Sequence, residues 1–131
     1  MGYSVAIVGA TGNVGREMMS ILSERQFMKR ELPFTSRLSA EDSRLIPALK
    51  ELPAGEFVIV QGIADLVVIR SDEIWLLDFK TDQILEEDLN ARAMAYEPQL
   101  RLYGLALSRI YGKTVKHHWL HFLSLGKTVE N

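Results

Sequence analysis

The most continuous apolar stretches of the chain lie near its middle and follow one another closely. Residues 58–69 are mostly β-branched and apolar, residues 74–79 are apolar again, and the polar tripeptide Ser71-Asp72-Glu73 separates them. Two such runs with a short polar break predict two strands joined as a hairpin. Because the runs are nearly continuous rather than alternating, the pattern indicates strands that are buried on both faces.

Weaker patterns on either side of this hairpin complete the predicted order of elements. Before it, the pattern predicts a strand, a helix, a second strand and a loop with a short helical turn, over residues 3–9, 14–27, 31–37 and 38–52. After it come two helices and a last strand, over residues 86–95, 99–111 and 115–125, with Pro98 at the start of the second helix. This order predicts an α/β fold in which helices flank a mixed sheet.

Three charged residues, Asp65, Asp78 and Lys80, stand inside the apolar hairpin. A charge inside a buried strand is costly unless it is paired or binds a metal. Asp78 and Lys80 are two residues apart, so a strand places both on the same face. Pairing of the two strands across the polar break brings Asp65 towards them. We therefore expect two carboxylates and one ammonium to converge on one small site.

This convergence has two interpretations. Two carboxylates can hold a hard divalent cation such as Mg²⁺, while water and phosphate oxygens fill its remaining positions. Such an ion activates water for attack on phosphate, and a nearby lysine can orient that water or stabilise developing negative charge. The alternative is a buried Asp78–Lys80 ion pair, with Asp65 capping a turn. The spacing alone leaves both interpretations open.

An ordered set of motifs around these residues resembles a known family. The set comprises Arg30-Glu31-Leu32-Pro33-Phe34, Gly62-x-x-Asp65, Asp78-Phe79-Lys80-Thr81 and Gln99-x-x-x-Tyr103. In this order the motifs are similar to those of the RecB-type branch of the PD-(D/E)xK nucleases, and in particular to the nuclease domain of AddA-type helicase–nucleases. The resemblance covers about residues 30–126.

The resemblance implies a restriction-endonuclease-like core and a metal-dependent deoxyribonuclease, exonuclease-like in action, of the kind that serves DNA repair and recombination. It implies that Asp65 and Asp78 bind Mg²⁺ or Mn²⁺, and that Lys80 is the catalytic lysine. It also implies that Gln99 and Tyr103, which share a helix face, line the site. Taken alone, Gln99 fits an exposed cap and Tyr103 a core aromatic better than a site, whereas beside the strand that carries Asp78 and Lys80 the site is the favoured interpretation. DNA is the implied substrate, and a helicase module or subunit the implied partner.

The start of the chain carries a different pattern. The turn Gly9-Ala10-Thr11-Gly12-Asn13-Val14-Gly15 joins the first predicted strand to the first predicted helix. Glycines in such a turn let the backbone approach a pyrophosphate at a helix N-terminus. Residues 1–27 resemble the N-terminus of aspartate-semialdehyde dehydrogenase, whose G-A-T-G-x-V-G loop binds NADP. The resemblance implies an NADP site at Gly9, Gly12 and Gly15.

The rest of the chain does not continue the dehydrogenase pattern. That family uses a cysteine nucleophile, and this chain contains no cysteine; the further strand–helix units of its cofactor fold are also missing. We therefore predict a strand–helix appendage over residues 1–29, from a fused or joined reading frame, and a nuclease domain over residues 30–131. RecB-type domains open with a helix that carries a histidine or an acidic residue. The helix predicted before residue 30 has no histidine, and its acids are Glu17 and Glu24, so the first motif of the family is absent or poorly replaced. The alternatives are an NADP-binding dehydrogenase fragment and an inactive nuclease-fold structural module.

Composition narrows the function classes further. The chain has 131 residues, of which 47% are hydrophobic and 24% charged, as expected for one soluble globular domain. A net charge of −2 is not the footprint of a strong autonomous nucleic-acid binder, so a nuclease of this composition needs a local basic patch, a metal or a partner module. No apolar run reaches the length of a membrane span. The absence of cysteine excludes disulfides and thiolate zinc sites, and fits a cytoplasmic protein.

Three histidines, His117, His118 and His121, lie close together in the last predicted strand. In a strand His117 and His121 share a face but lie about 13 Å apart, and His118 faces away. We therefore expect no zinc site there.

Overall fold

The computed structural model describes residue 16 and residues 27–131. Arg16 is helical and exposed, and the rest of the predicted N-terminal appendage up to residue 26 lies outside the described residues. From residue 27 on, the chain forms five strands and one α-helix: β1 (Phe27–Ser39), β2 (Phe57–Ile69), β3 (Glu73–Lys80), α1 (Leu89–Tyr111), β4 (Thr114–Phe122) and β5 (Lys127–Glu130). Three short 3₁₀ helices span Ala40–Arg44, Pro47–Glu51 and Glu86–Asp88.

The five strands form one mixed sheet in the order β1-β2-β3-β4-β5. The pairs β1–β2, β2–β3 and β4–β5 are antiparallel, and β3–β4 is parallel. Two parallel neighbours need a crossover that returns the chain to the other end of the sheet, and α1 is that crossover. The mixed sheet with its helix confirms the predicted restriction-endonuclease-like α/β fold class.

The central strands are buried on both faces, as their unbroken apolar runs predict. On the face that α1 covers, Val67 and Leu76 pack with Leu107 of the helix and Phe122 of β4. The opposite face has its own buried cluster, formed by Leu66, Val68, Trp75, Leu77 and Trp119. Neighbouring residues of one strand enter different clusters because successive side chains point to opposite faces.

β1 and β2 are longer than their contact with the rest of the sheet requires. They pair from one end to the other with one gap, at Glu31 and Asp65, whereas β3 pairs with residues 66–69 of β2. The remainder of both strands therefore forms a two-stranded ribbon that extends beyond β3. Asp65 lies where this ribbon leaves the sheet. Across from it in the register, Glu31 has a φ of 47°, which non-glycine residues rarely adopt, so the backbone changes course at the position of Asp65.

The prediction of two helices over residues 86–95 and 99–111 is wrong, because α1 continues through Pro98. A proline inside a helix removes one N–H donor and one bond to the carbonyl four residues earlier. Buried side chains on both sides of the proline, Ala93 before it and Leu100 after it, hold both halves of α1 in the core. Tertiary packing therefore outweighs the local break.

The prediction of a last strand over residues 115–125 is also wrong in its end. β4 ends at Phe122, and a turn containing Gly126, with φ of 62°, leads into β5. β5 has four residues, too few for its alternation to stand out in the sequence. The strand predicted over residues 31–37 is longer at both ends, and two of the 3₁₀ helices occupy the loop predicted over residues 38–52.

α1, with 23 residues, is the longest helix in the described part of the chain. Its buried residues recur mostly at helical spacing among exposed ones, as in a helix that packs one face on a sheet. Within the described ranges, no helix is long and apolar enough to cross a membrane.

Candidate functional site

β3 places Asp78 and Lys80 on one face, as their spacing predicts. The Lys80 ammonium nitrogen Nζ lies 2.6 Å from Asp78 Oδ2, and the two side chains are 11% and 7% exposed. An ion pair this deeply buried has little access to water, so its charges are not screened as surface charges are. The pair lies near the end of β3, where the strand approaches the start of the ribbon.

Asp65 meets this pair from β2. The register pairs Leu66 with Leu77, and Asp65 and Asp78 are the next residues of the two strands beyond this last pair. Oδ2 of Asp65 accepts a hydrogen bond of 2.8 Å from the backbone N–H of Phe79. Asp65 therefore reaches across to β3 from within a strand, and the alternative in which it caps a turn is wrong.

The surroundings of Asp78 change its ionisation. Burial raises the pKa of Asp78 above its ordinary value, and the neighbouring carboxyl of Asp65 raises it further. The ammonium of Lys80 acts in the opposite direction, since a nearby cation favours the ionised carboxylate. The net direction is upward, so an ionised Asp78 is under-compensated by the protein groups around it.

This donor set fits a hard divalent cation. Although Asp78 Oδ2 lies beside Lys80, it is buried without a directed hydrogen bond, which leaves a lone pair for another ligand. Carboxylate oxygens are the protein ligands of Mg²⁺, which usually keeps several waters and takes one or two carboxylates. Over residue 16 and residues 27–131, no group of three or more histidine, cysteine or acidic side chains is arranged to hold a metal ion. The described residues therefore offer two carboxylates, Asp65 and Asp78.

Gln99 and Tyr103 both project from α1, but they occupy different surroundings. Gln99 Oε1 accepts a hydrogen bond of 2.8 Å from Lys80 Nζ, so Gln99 joins the site. Tyr103 packs edge-to-face on Phe34 at a centroid distance of 4.8 Å and belongs to the partly buried residues of the core. Tyr103 therefore packs against β1, and its described contacts are with the core.

The close packing of Phe34 and Tyr103 against β2 requires a glycine at position 62. A Cβ atom at this position would lie 2.7 Å from the Phe34 ring and 2.9 Å from the Tyr103 ring. Real Cβ atoms essentially never approach other heavy atoms so closely. The glycine of the Gly62-x-x-Asp65 motif thus lets β2 pass beneath two aromatic rings just before it delivers Asp65.

The sequence reasoning missed a second set of residues at the site. The Tyr96 ring centroid lies 3.8 Å from Lys80 Nζ, and the Tyr96 hydroxyl donates a 2.8 Å hydrogen bond to Asp82 Oδ2. Nε of Arg92 donates to the same oxygen at 2.8 Å. Residues 92, 96, 99 and 103 share one face of α1, but this spacing becomes a signal only in one continuous helix, whereas Pro98 favours two.

The Asp82–Tyr96 bond also affects ionisation. Hydrogen bonds from Arg92 and then Tyr96 lower the pKa of Asp82. The same bond raises the pKa of Tyr96, with burial adding to the effect. Asp82 is therefore a stable anion that accepts from two side chains of α1.

The three histidines have separate partners. His117 Nδ1 lies 2.5 Å from Glu130 Oε1, and His121 Nδ1 lies 2.8 Å from Thr128 Oγ1. His118 packs against Gly104, where a Cβ atom would lie 2.4 Å from its Nε2. Burial lowers the pKa of both His118 and His121. These contacts are typical of structural histidines.

Comparison with known proteins places the chain among nucleases. The family model described as the PD-(D/E)XK nuclease superfamily matches residues 9–128. Similar proteins include an ATP-dependent helicase/nuclease subunit of Moorella thermoacetica, with 40% identity over 107 residues, covering 81% of this chain and 7% of that protein. The corresponding protein of Carboxydothermus hydrogenoformans is 32% identical over 120 residues, covering 88% of this chain and 10% of that protein. In Listeria innocua it is 33% identical over 112 residues, covering 79% and 8%.

The chain thus spans a tenth or less of the length of these relatives. These relatives support the predicted nuclease resemblance, whereas the dehydrogenase resemblance and the boundary between residues 29 and 30 remain predictions. The family match extends over most of the sequence and includes every residue of the candidate site. The chain therefore belongs to the PD-(D/E)XK nuclease superfamily.

Proposed function

We propose that this chain is a metal-dependent deoxyribonuclease in which Asp65 and Asp78 hold Mg²⁺ or Mn²⁺ and Lys80 is the catalytic lysine. The observation that carries the proposal is the meeting of Asp65, Asp78 and Lys80, from two neighbouring strands, in one partly buried site. Divalent metals are in general use among PD-(D/E)XK nucleases, and the donor set fits one.

The residues divide the work between binding and orientation. A divalent cation at this site would lower the pKa of a bound water and neutralise charge on the phosphate. Asp65 and Asp78 offer carboxylate oxygens fixed by the hairpin, and the hydrogen bond from Phe79 holds Asp65 in place. Lys80, held by Asp78 and Gln99, brings a positive charge to the scissile phosphate, orients the attacking water and stabilises negative charge that develops during hydrolysis.

We further propose that the DNA is delivered by a helicase module, within a longer polypeptide or as a separate subunit, and that cleavage is exonuclease-like. The relatives named above are helicase/nuclease subunits of which this chain matches a small part. Many of the described basic side chains form ion pairs with carboxylates: Arg70, Lys80, Arg92, Arg101, Arg109, Lys116 and Lys127. With a net charge of −2, the chain has no excess of positive charge to hold DNA without help.

The test is cleavage of labelled single- and double-stranded DNA in Mg²⁺ and in Mn²⁺. We expect cleavage by the wild type and its loss, by at least about a hundredfold, in Lys80→Ala, because the variant lacks the charge that stabilises the transition state. Lys50→Ala removes an exposed lysine of the 3₁₀ helix Pro47–Glu51, outside the described contacts of the site, and serves as the matched control. Equal cleavage by the wild type and Lys80→Ala would exclude the proposed role of Lys80. Metal binding without any cleavage would favour the inactive structural module.

A further inference from the structure

The ammonium of Lys80 is enclosed on three sides. Asp78 Oδ2 lies at 2.6 Å, Gln99 Oε1 at 2.8 Å and the centroid of the Tyr96 ring at 3.8 Å. Two of these contacts belong to the motifs already described, and the third does not. A cation over the face of an aromatic ring is attracted by the ring's quadrupole, most strongly where water is excluded. With its side chain 11% exposed, Lys80 meets this condition.

Tyr96 is itself held in place. Its hydroxyl donates to Asp82 Oδ2 at 2.8 Å, and its ring packs near Phe122. Asp82 is fixed in turn, because Arg92 donates to its carboxylate at 2.8 Å and Ser124 donates to its backbone carbonyl at 2.6 Å. The ring therefore has a defined position relative to β3.

From these contacts we infer that Tyr96 is a positioning residue, whose aromatic face holds the ammonium of Lys80 in the reactive site, and that Asp82 orients Tyr96. Lysine needs such a device, because its ammonium is a strongly hydrated point charge on a flexible four-carbon stem. The inference rests on the proposed nuclease function, since it assigns the means by which the proposed catalytic lysine is held.

A purely structural role makes a different prediction about the two parts of Tyr96. If the residue only connects α1 to the loop after β3, its effect depends on the hydrogen bond from the hydroxyl to Asp82. If the residue positions Lys80, its effect depends on the aromatic ring, and the hydroxyl only orients that ring. Tyr96→Phe removes the hydroxyl and keeps the ring, whereas Tyr96→Leu removes both. Tyr111→Leu makes the same change near the other end of α1 and is the matched control.

The experiment measures kcat and KM for labelled DNA, together with melting temperature, for the wild type and the three variants. We expect Tyr96→Leu to lower kcat by about ten- to a hundredfold, since loss of orientation at the reacting centre acts on the chemical step, with KM within about twofold. Tyr96→Phe should lose about two- to threefold, and Tyr111→Leu should not lower kcat at matched melting temperature. The inference is overturned if Tyr96→Leu cleaves as well as Tyr111→Leu, or if Tyr96→Phe is as impaired as Tyr96→Leu.

A second measurement keeps the inference testable if Tyr96→Leu does not fold. Protons on the carbon next to the ammonium of Lys80 should show an upfield ring-current shift in the NMR spectrum of the wild type, and Tyr96→Phe should keep most of it. Absence of the shift in the wild type overturns the inference. A wild type that cleaves no DNA in either metal overturns the proposed function and the positioning role with it. An active wild type with an unaffected Tyr96→Leu overturns the positioning role alone.

Discussion

At Gly62, three residues before Asp65, β2 passes so close to two aromatic rings that a methyl group does not fit. A Cβ atom would meet the rings of Phe34 and Tyr103 at 2.7 and 2.9 Å. The strand cannot move away freely, because β1 pairs with it along this stretch. Packing at Gly62 and the placement of Asp65 are therefore linked.

Gly62→Ala should lower the free energy of unfolding by about 1–3 kcal/mol, the usual cost of overpacking a core, and should reduce DNA cleavage because Asp65 is displaced. Chemical denaturation measures the first effect. In a Phe34→Leu background the smaller side chain leaves space, so the same substitution should cost less, which a double-mutant cycle detects. An equal cost in both backgrounds would show that the rings do not cause it.

The same scale shows what the sequence could reveal about the site. Asp65, Asp78 and Lys80 could be found from strand periodicity. A charge inside an apolar strand needs a partner, and the hairpin brings these three side chains together. Tyr96 and Asp82 could not be found that way. Their contact joins α1 to the loop after β3, and no local pattern specifies how a helix is rotated against a sheet.

At the scale of elements, α1 contains a proline whose free-energy cost is offset by packing. Pro98 lies inside the helix and cannot donate to the carbonyl of Met94. Proline in a helix interior is about 3 kcal/mol less favourable than alanine. The helix survives because side chains on both sides of the break are buried in the core.

Pro98→Ala should therefore raise the free energy of unfolding, by about 1–3 kcal/mol, since it restores one backbone hydrogen bond and removes the ring clash. Pro47→Ala is the control, because Pro47 begins a 3₁₀ helix, where a missing N–H costs little. Thermal melting of both variants checks the prediction. A loss of stability in Pro98→Ala would mean that the proline fixes a bend that α1 needs.

The elements that could be predicted are those with strong local patterns. The hairpin of β2 and β3 is clear from the sequence, because long β-branched runs and a polar break have one simple explanation. The continuity of α1 and the existence of β5 are not, since the first depends on burial of side chains far apart in sequence and the second on four residues paired with β4.

At the scale of the whole molecule, a sheet buried on both faces carries one charged site at the point where the ribbon begins. The alternative that remains is a buried Asp78–Lys80 ion pair that only stabilises the fold. The two accounts differ in what they expect of Asp78 when no metal is present, because its pKa is raised. A carboxyl whose pKa is higher in the folded than in the unfolded state contributes stability below its ordinary pKa of 3.8. That stability is lost as the pH rises through the raised value.

The most direct measurement is the melting of the wild type and Asp78→Asn near pH 7, in chelator and in Mn²⁺. In chelator Asp78→Asn should melt at or above the temperature of the wild type, because two like charges about 4 Å apart cost up to about 4 kcal/mol at an effective dielectric constant near 20. The wild type should gain about 2.7 kcal/mol from Mn²⁺ at a hundredfold excess over its Kd, and the variant should lose most of this gain. The ion-pair account expects Asp78→Asn to lose about 3–5 kcal/mol in chelator. That loss, with no response of the wild type to Mn²⁺, would contradict the metal site.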